Sequence, residues 1–342
     1  MIVVATERFA EHQTPPGHPE SPERATVMDA VADEWRQAGG DVVAPGSATF
    51  DQLARVHDEG YLRRIAGTAG KAAKLDPDTY TSPESVEIAH LAAGAAIDAV
   101  EHVVRGSHRR GLALVRPPGH HAEADRAMGY CLYNNAAVAV AHAKTIGVPK
   151  VAILDYDVHH GNGTQHIFVS DPDVLYVSLH QSPYYPGTGD VGEVGRGAGA
   201  GFTVNLPLEV GAVDEDYRVA FSEVVLPIVR QFRPNLVVLS AGFDAHERDP
   251  IAGMRVTTGG FAAMTMDLLN VAEECCAGRL MAVTEGGYDL RAFGDCLRQV
   301  VRVFGSHGGG TAEWPTAGAI APTRGRAAAQ AARSALGRFW SF

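Results

Sequence analysis

Val151-Ala152-Ile153-Leu154-Asp155-Tyr156-Asp157-Val158-His159-His160-Gly161-Asn162-Gly163-Thr164-Gln165 is the stretch that decides how this chain reads. Its first four residues form an unbroken apolar run, the mark of a buried strand. Asp155, Asp157 and His159 then alternate, and alternate side chains of a strand share a face. All three are therefore expected to point the same way as the strand runs out into a Gly-rich loop. His160 falls on the other parity and is expected to be structural. Carboxylates and an imidazole on one edge form a nitrogen–oxygen donor set suited to zinc or a similar divalent ion. A helix N-cap with stray polar residues accounts for the segment less well. Strand ends seldom bury several ionisable groups without a reason.

Two further apolar runs end in the same kind of residue. Leu112–Val115 runs into Arg116-Pro117-Pro118-Gly119-His120-His121, and Leu236–Ser240 into Ala241-Gly242-Phe243-Asp244-Ala245-His246. Ligands of open parallel α/β sheets bind outside the carboxyl ends of the strands. A lone His pair is more often structural than catalytic. Three strand ends carrying His and Asp predict one shared crevice.

The same pattern extends along the chain. Strands are expected at Ile2–Ala5, Val42–Ala44, Leu112–Val115, Val151–Leu154, Val174–Ser178, Phe202–Leu206, Leu236–Leu239 and Met281–Thr284. Ala-rich helices are expected between many of them, at Ser85–Val104, Asn135–Lys144, Tyr217–Gln231 and Gly260–Cys276. Strands alternating with helices mean a parallel sheet covered on both faces. At 342 residues and 46% hydrophobic, the chain can bury a large core. Gly305–Thr323 reads as a loop. The segment after it, Arg324–Phe342, is amphipathic and ends in Leu336, Phe339, Trp340 and Phe342, which are expected to dock on the body of the protein.

Composition excludes several classes. A net charge of −11 argues against a nucleic-acid groove, though an acidic surface would attract cationic substrates. The four cysteines, Cys131, Cys275, Cys276 and Cys296, show no CxxC spacing, as expected of a reduced cytoplasmic protein. Met1–Ala5 lacks the length and basic flank of a signal peptide. No run approaches the ~18 apolar residues of a membrane span, so no membrane partner is expected.

The motifs RPPGHH, DYDVHHGNGTQ, YVSLH, PGTGD, AGFDAH and EGGY occur in one order, between His18-Pro19-Glu20-Ser21-Pro22-Glu23-Arg24 and Glu285-Gly286-Gly287-Tyr288. As a set, spanning about residues 1–305, they resemble the zinc-dependent histone deacetylases. Within that family the chain looks like the class II-like group that includes bacterial deacetylase-like amidohydrolases. The resemblance implies an arginase/deacetylase-like αβα fold with a central, mainly parallel, eight-stranded sheet. It implies one catalytic domain over 1–305, with 306–342 as a loop and a docked amphipathic helix. One zinc would be held by Asp157, His159 and Asp244. His121 would be the general base and later the general acid, and His120 an electrostatic partner. Asp155 would orient His120, as a carboxylate fixes an imidazole tautomer. Asn162 stands where some relatives have an Asp behind the second His, a departure that should leave His121 less basic. Tyr288 would donate to the oxyanion, and Gly286-Gly287 would let its loop swing.

Substrate contacts follow from the same resemblance. Tyr130 and Tyr185 match the tunnel positions where the family usually has Phe. Gly129 leaves room for the acyl chain, and its carbonyl would accept the substrate amide hydrogen. Asp78 matches a rim position that grips the substrate backbone, with an ordinary turn residue as the competing reading. Ile251 takes the gatekeeper position. Arg24 would reach toward the acetate exit path or else form a buried ion pair. Two structural potassium ions are implied as well. One would sit on the carbonyls of Asp155, Asp157, His159 and Leu179 with the Ser178 hydroxyl, the other on the carbonyls of Phe168, Asp171, Val174 and Phe202. His180 and His246 would support neighbouring groups.

The expected activity is hydrolysis of an N-acetyl-lysine-like amide, in a peptide or a small acetylated amine, by an oligomer or a monomer. An acetylpolyamine amidohydrolase is the nearest rival. Ile251 in place of an acidic gatekeeper, and no long insertion around 70–90, favour a broader mouth. A two-manganese ureohydrolase would want Asp-x-His-x-Asp and an Asp-x-Asp pair, where this chain has Asp157-Val158-His159-His160-Gly161 and a single Asp in Gly242-Phe243-Asp244-Ala245. An inactive acyl-lysine-binding module would be expected to have lost a ligand, the His pair or Tyr288, and all are present.

Overall fold

The computed structural model describes residues 1–306, 310–311, 313–315 and 321–342. Eight strands form one sheet in which every ladder is parallel. They are β1 (Ile2–Val4), β2 (Asp41–Val43), β5 (Arg110–Ala113), β6 (Val151–Asp155), β7 (Val174–Gln181), β8 (Thr203–Leu208), β9 (Leu236–Ala241) and β10 (Leu280–Thr284). Their order is β2-β1-β5-β10-β9-β6-β7-β8. A separate short hairpin pairs β3 (Ala73–Lys74) with β4 (Tyr80–Thr81). All eight strands expected from the apolar runs form the sheet, with ends shifted by a few residues.

The order matters for chemistry. The three strands whose ends carry the motifs, β5, β6 and β9, lie at the centre, with β10 inserted between β5 and β9. Asp155 pairs with Ser240, Ser240 with Val283 and Val283 with Ala113, so the four ends stop at about one level. Residues distant in sequence therefore open onto one crevice beyond the strand ends.

Helices cover the sheet in two groups. α4 (Ser85–Val104) packs on α5 (Asn135–Thr145), while α1 (Glu23–Gln37), α10 (Leu290–Gly305) and α9 (Thr258–Cys276) pack in succession elsewhere. The result is a three-layer αβα arrangement. α4 spans the residues expected of it, and Gly94 within it lets the chain at Gly46 approach; a Cβ there would lie 1.9 Å from the Gly46 carbonyl oxygen.

One helix differs from expectation. Tyr217–Gln231 lies within three pieces: α7 (Asp214–Ala220), a π turn (Phe221–Val225) and α8 (Leu226–Phe232). Pro227 explains the break, because it has no N–H for the preceding turn and its ring crowds that turn's carbonyl.

At the C-terminus, α11 (Thr323–Leu336) buries Ala328, Ala329, Ala332 and Leu336 against α7 and β8. The Gly325 amide donates to Asp216 Oδ1 (2.8 Å), and Trp340 Nε1 donates to the Gly201 carbonyl (2.7 Å). Part of the loop expected over Gly305–Thr323 lies outside the described residues.

Candidate active site

β6 ends at Asp155, so strand alternation does not carry Asp157 and His159, contrary to the sequence reading. Two successive Asx turns replace it. The Asp157 amide donates to Asp155 Oδ1 (3.2 Å), and the His159 amide to Asp157 Oδ1 (2.9 Å). The every-second-residue rhythm thus continues through side chains rather than a ladder. It brings Asp157 and His159 together with Asp244 from the end of β9. One ligand atom from each lies within 4.8 Å of the others, and all three residues are buried.

These three residues could hold a metal ion. Asp244 Oδ1 accepts from the Val158 amide (2.8 Å), and its Oδ2 lies buried 3.1 Å from His159 Nδ1. Two carboxylates buried this close need compensating positive charge. Burial and the Asp157 charge push the Asp244 carboxyl up. Burial opposes a charged His159, yet hydrogen bonds to Asp157 and Asp244 outweigh it and raise its imidazole to about 9. The backbone makes room for the cluster. A Cβ at Gly242 would lie 2.0 Å from Asp157 Oδ2, and one at Gly286 2.2 Å from Asp244 Oδ2. The donor set, two hard oxygens and one imidazole, fits zinc.

The His pair follows β5. Rings of His120 and His121 lie 4.0 Å apart, in different surroundings. His120 Nδ1 contacts Asp155 Oδ2 at 3.0 Å, and the Tyr176 hydroxyl donates to that same oxygen (3.1 Å). Burial opposes protonation of His120, but Asp157 and Asp155 prevail and hold it well above the ordinary imidazole range. His121 Nδ1 contacts Asn162 Oδ1 at 2.8 Å. Burial, then His120 and His159, hold His121 well below that range. One ring thus favours the cationic form and the other the neutral form, the division an electrostatic partner and a general base require. Glu285, at the end of β10, accepts the amides of Gly119 (2.7 Å) and His120 (3.1 Å) and fixes the turn that carries the pair.

A cavity of about 210 Å³ opens above these groups. His121, His159 and Tyr288 reach it, and Tyr130, Tyr184 and Tyr185 wall it. Gly129 and Tyr130 both have positive φ, 55° and 68°. A Cβ at Gly129 would lie 2.4 Å from the His121 ring, so only glycine lets the wall approach His121. Tyr130 holds a strained conformation for a bulky residue, and its amide donates to Thr79 Oγ1 (3.0 Å). Tyr185 meets His121 edge-on at 5.2 Å. Asp78 also lines the cavity, in the β3–β4 turn, where Asp76 Oδ1 accepts its amide (2.9 Å).

Several contacts were not legible in the sequence. Tyr184 stacks on His159 at 5.3 Å, and its hydroxyl donates to the Ile251 carbonyl. Asp249 accepts the amides of Ile251 (3.1 Å) and Tyr288 (2.7 Å), tying the mouth to the Tyr288 loop. Further hydrogen bonds anchor that loop on both sides of its two glycines. Gly286 donates to Asp157 Oδ2 (2.8 Å), and Arg24 binds the carbonyls of Glu285 and Gly287. The glycines also serve close approach. Burial, with Asp244 nearby, raises the Tyr288 phenol well above its usual range and keeps it a donor.

Arg24 does not line the cavity. It is fully buried, pairs with Glu20 Oε1 (2.9 Å), and lies 5.3 Å over the Tyr288 ring. The ion-pair alternative describes its place better than a substrate contact. The Ser178 hydroxyl, expected beside a potassium ion, contacts His180 Nδ1 at 2.9 Å. His160 contacts Thr188 Oγ1 (2.7 Å) and Gln165 Oε1 (2.8 Å), and His246 contacts Thr258 Oγ1 (3.1 Å). A larger hollow, about 820 Å³, lies beside α11 but contains no histidine and only one acidic residue, Glu223.

Comparison with known proteins agrees with this geometry. The histone deacetylase domain profile matches residues 18–304. A probable deacetylase of Archaeoglobus fulgidus is 40% identical over 291 residues, covering 84% of this chain and 81% of that protein. A histone deacetylase-like amidohydrolase of Pseudomonas aeruginosa is 41% identical over 276 residues, covering 80% and 73%. Histone deacetylase 15 of Arabidopsis thaliana is 42% identical, and the match covers 84% of this chain but only 52% of that longer protein. The solved HD domain of HDA15 superposes with a TM-score of 0.88 at 36% identity, covering 99% of this chain and 97% of that one. With the profile spanning most of its length and the site residues gathered at one crevice, the chain belongs to the histone deacetylase family.

Proposed function

We propose that this protein is a zinc-dependent deacylase that hydrolyses N-acetyl-lysine-like amides. The observation that carries the reading is the meeting of the Asp157–His159–Asp244 cluster, the neutral-leaning His121 and Tyr288 around one tyrosine-walled cavity. Zinc bound by those three residues would supply Lewis-acid polarisation of the amide carbonyl and of the attacking water. His121 takes the water proton at Nε2 and later passes it to the departing amine. His120, cationic beside Asp155 and Asp157, stabilises negative charge as it develops. The Tyr288 hydroxyl donates to the oxyanion. Tyr130 and Tyr185 flank the apolar stem, the Gly129 carbonyl accepts the amide hydrogen, and Asp78 with Ile251 meets what lies outside.

The remaining parts of the reading are of the same kind. Residues 1–305 form one catalytic domain, with 306–342 as its C-terminal extension. Two potassium ions brace the loops around β7, one of them on the carbonyls of Phe168, Asp171, Val174 and Phe202. The Phe168, Asp171 and Phe202 carbonyls each accept one main-chain amide and keep a second lone pair. A cytoplasmic setting suits the four unpaired cysteines. Among the described residues no helix is long and apolar enough to cross a membrane.

Small acetylated polyamines are a second reading, favoured by one feature. Asp78 stands at the mouth with Asp76 beside it, on a chain of net charge −11, a surrounding that attracts cations. One experiment separates the readings. The zinc-loaded enzyme is incubated with acetyl-lysine peptides, acetylpolyamines and longer acyl-lysine peptides, and products are followed by mass spectrometry. Preferential turnover of the peptides is expected. Turnover of polyamines alone would replace the first reading by the second, and no turnover of any acyl amine would refute both.

A further inference from the structure

Behind Asn162 lies a residue that no motif singles out. Glu123 is 5% exposed, and its Oε1 accepts from Asn162 Nδ2 at 2.6 Å. The carboxylate is also held by His166 Nδ1, 2.8 Å from Oε1 and 3.0 Å from Oε2, and by Arg126 Nη2, 3.4 Å from Oε1. Its main chain is anchored too: its carbonyl contacts His57 Nδ1 at 2.9 Å, and its amide donates to the Arg126 carbonyl at 3.0 Å. Burial opposes its charge, but the hydrogen bonds from His166 and Asn162 prevail and keep its carboxyl below the usual range.

An asparagine amide has two ends of nearly equal shape and opposite polarity. If Asn162 turns its oxygen to His121 Nδ1, that nitrogen must carry the proton and Nε2 keeps its lone pair. If it turns its NH₂ there, Nδ1 must accept, the proton moves to Nε2, and the ring cannot act as a base. Sterics do not choose between these states. An ionised carboxylate does, because it only accepts, and only the NH₂ end can face it. The longer contact from Asn162 Nδ2 to the His121 carbonyl, 3.3 Å, points the same way.

We infer that Glu123 is a positioning residue: through Asn162 it locks His121 as the Nδ1–H tautomer and leaves Nε2 free to take a proton. The inference rests on His121 being the acid–base group of the proposed function. It revises what Asn162 means. The carboxylate that some relatives place directly behind the second His is not missing here but stands one amide further back.

The test uses the full chain loaded with zinc and labelled with 15N-histidine, the His121 signals being assigned by comparison with His121→Ala. Two-bond 15N–1H spectra of the parent should show one His121 tautomer, with the proton on Nδ1. Glu123→Gln keeps the shape but can donate or accept, so Asn162 is free to turn. A tautomer mixture is expected, with kcat lowered about 10-fold or more, within the ~10²–10⁴ that general acid–base groups contribute, and KM little changed. The double variant Glu123→Gln/Asn162→Asp exchanges carboxylate and amide. His121 again meets an obligate acceptor, which the Gln amide in turn supports. The single tautomer and most of the rate should return, and a merely structural Glu123 would not be rescued this way. An unchanged tautomer in Glu123→Gln, or a loss that the double variant leaves as it was, overturns the inference. If no acyl amine is turned over, the proposed function fails, while the tautomer spectra still decide the role of Glu123.

Discussion

Beyond the carboxyl ends of β6 and β9, Asp157, Asp244 and His159 are buried together; under α11, the chain buries alanines, Leu336 and the edges of Phe339 and Trp340. Both regions keep water out, by opposite means. The tail lowers free energy locally, because each apolar group leaving water helps on its own. The crevice raises it locally, because buried carboxylates lose hydration. They hold their place through amides from Val158, His159 and Gly286 and through the His159 imidazole, 3.1 Å from a carboxylate oxygen of each. The difference teaches where this fold stores function. Stability can be assembled piece by piece on the outside, whereas the site exists only if every strand end arrives at once.

That contrast can be broken most severely at the metal cluster. Asp157→Ala or Asp244→Ala should abolish zinc binding and turnover while circular dichroism stays native-like, because removing one buried carboxylate also relieves the repulsion on the other. Elemental analysis of the parent should find one zinc per chain. Two tightly held transition ions would revive a binuclear mechanism.

Next come the groups to which the proposed mechanism assigns chemistry. His121→Ala should lower kcat by about 10²–10⁴-fold, more than His120→Ala, since the proposed mechanism gives both proton transfers to His121. Tyr288→Phe should lose about 10²–10³-fold in kcat with KM little altered, since the oxyanion it is proposed to serve forms only on the way to products. Equal losses in both His variants, or a Tyr288 effect confined to KM, would show that the roles are misassigned.

Behind the crevice, Glu20 tests how buried charge contributes to stability. It is fully buried between Arg116 (2.5 and 2.8 Å) and Arg24 (2.9 Å). Burial raises its carboxyl pKa, but the two guanidiniums prevail and depress it to about 2. A depressed pKa means that the stabilisation is fully present above the ordinary value of 4.5 and is lost as pH falls toward 2. Glu20→Gln should cost about 3–5 kcal/mol at neutral pH by stranding both arginines, and should flatten the acid limb of the stability curve. Denaturant melts at pH 7 and pH 3 measure both effects; a parallel loss at the two pH values would contradict the assignment.

The smallest effect is expected at the tail. Trp340→Ala removes a ring set edge-on to Phe202 at 5.6 Å and a hydrogen bond to Gly201. It should cost about 1–3 kcal/mol, less than the ~3–5 for a fully buried Trp, and leave kcat and KM unchanged. Altered turnover would mean that the two regions communicate.

The apolar strand cores and the polar residues that end them could be read from sequence, because both are local. A run such as Val151–Leu154 states its burial in its own composition, and Ser85–Val104 carries its helical period without help. The runs that precede Asp157, His159 and Asp244 pointed to one crevice, but the choice of these three as a set came from the family resemblance, and the fold gathers their side chains. What the tertiary structure alone decided is everything set by chain-distant partners. Tyr184 and Tyr185 are neighbours of identical chemistry, and only the fold turns one against His159 and the other against His121. The Tyr288 loop is anchored by Arg24, 263 residues away from the Gly287 carbonyl it holds. Glu123 and Asn162 are 39 residues apart, and nothing local links them. Periodicity is a property of a segment, whereas a hydrogen bond between side chains depends on where both segments end. Only the parallel register of β5, β10, β9 and β6 brings those ends together.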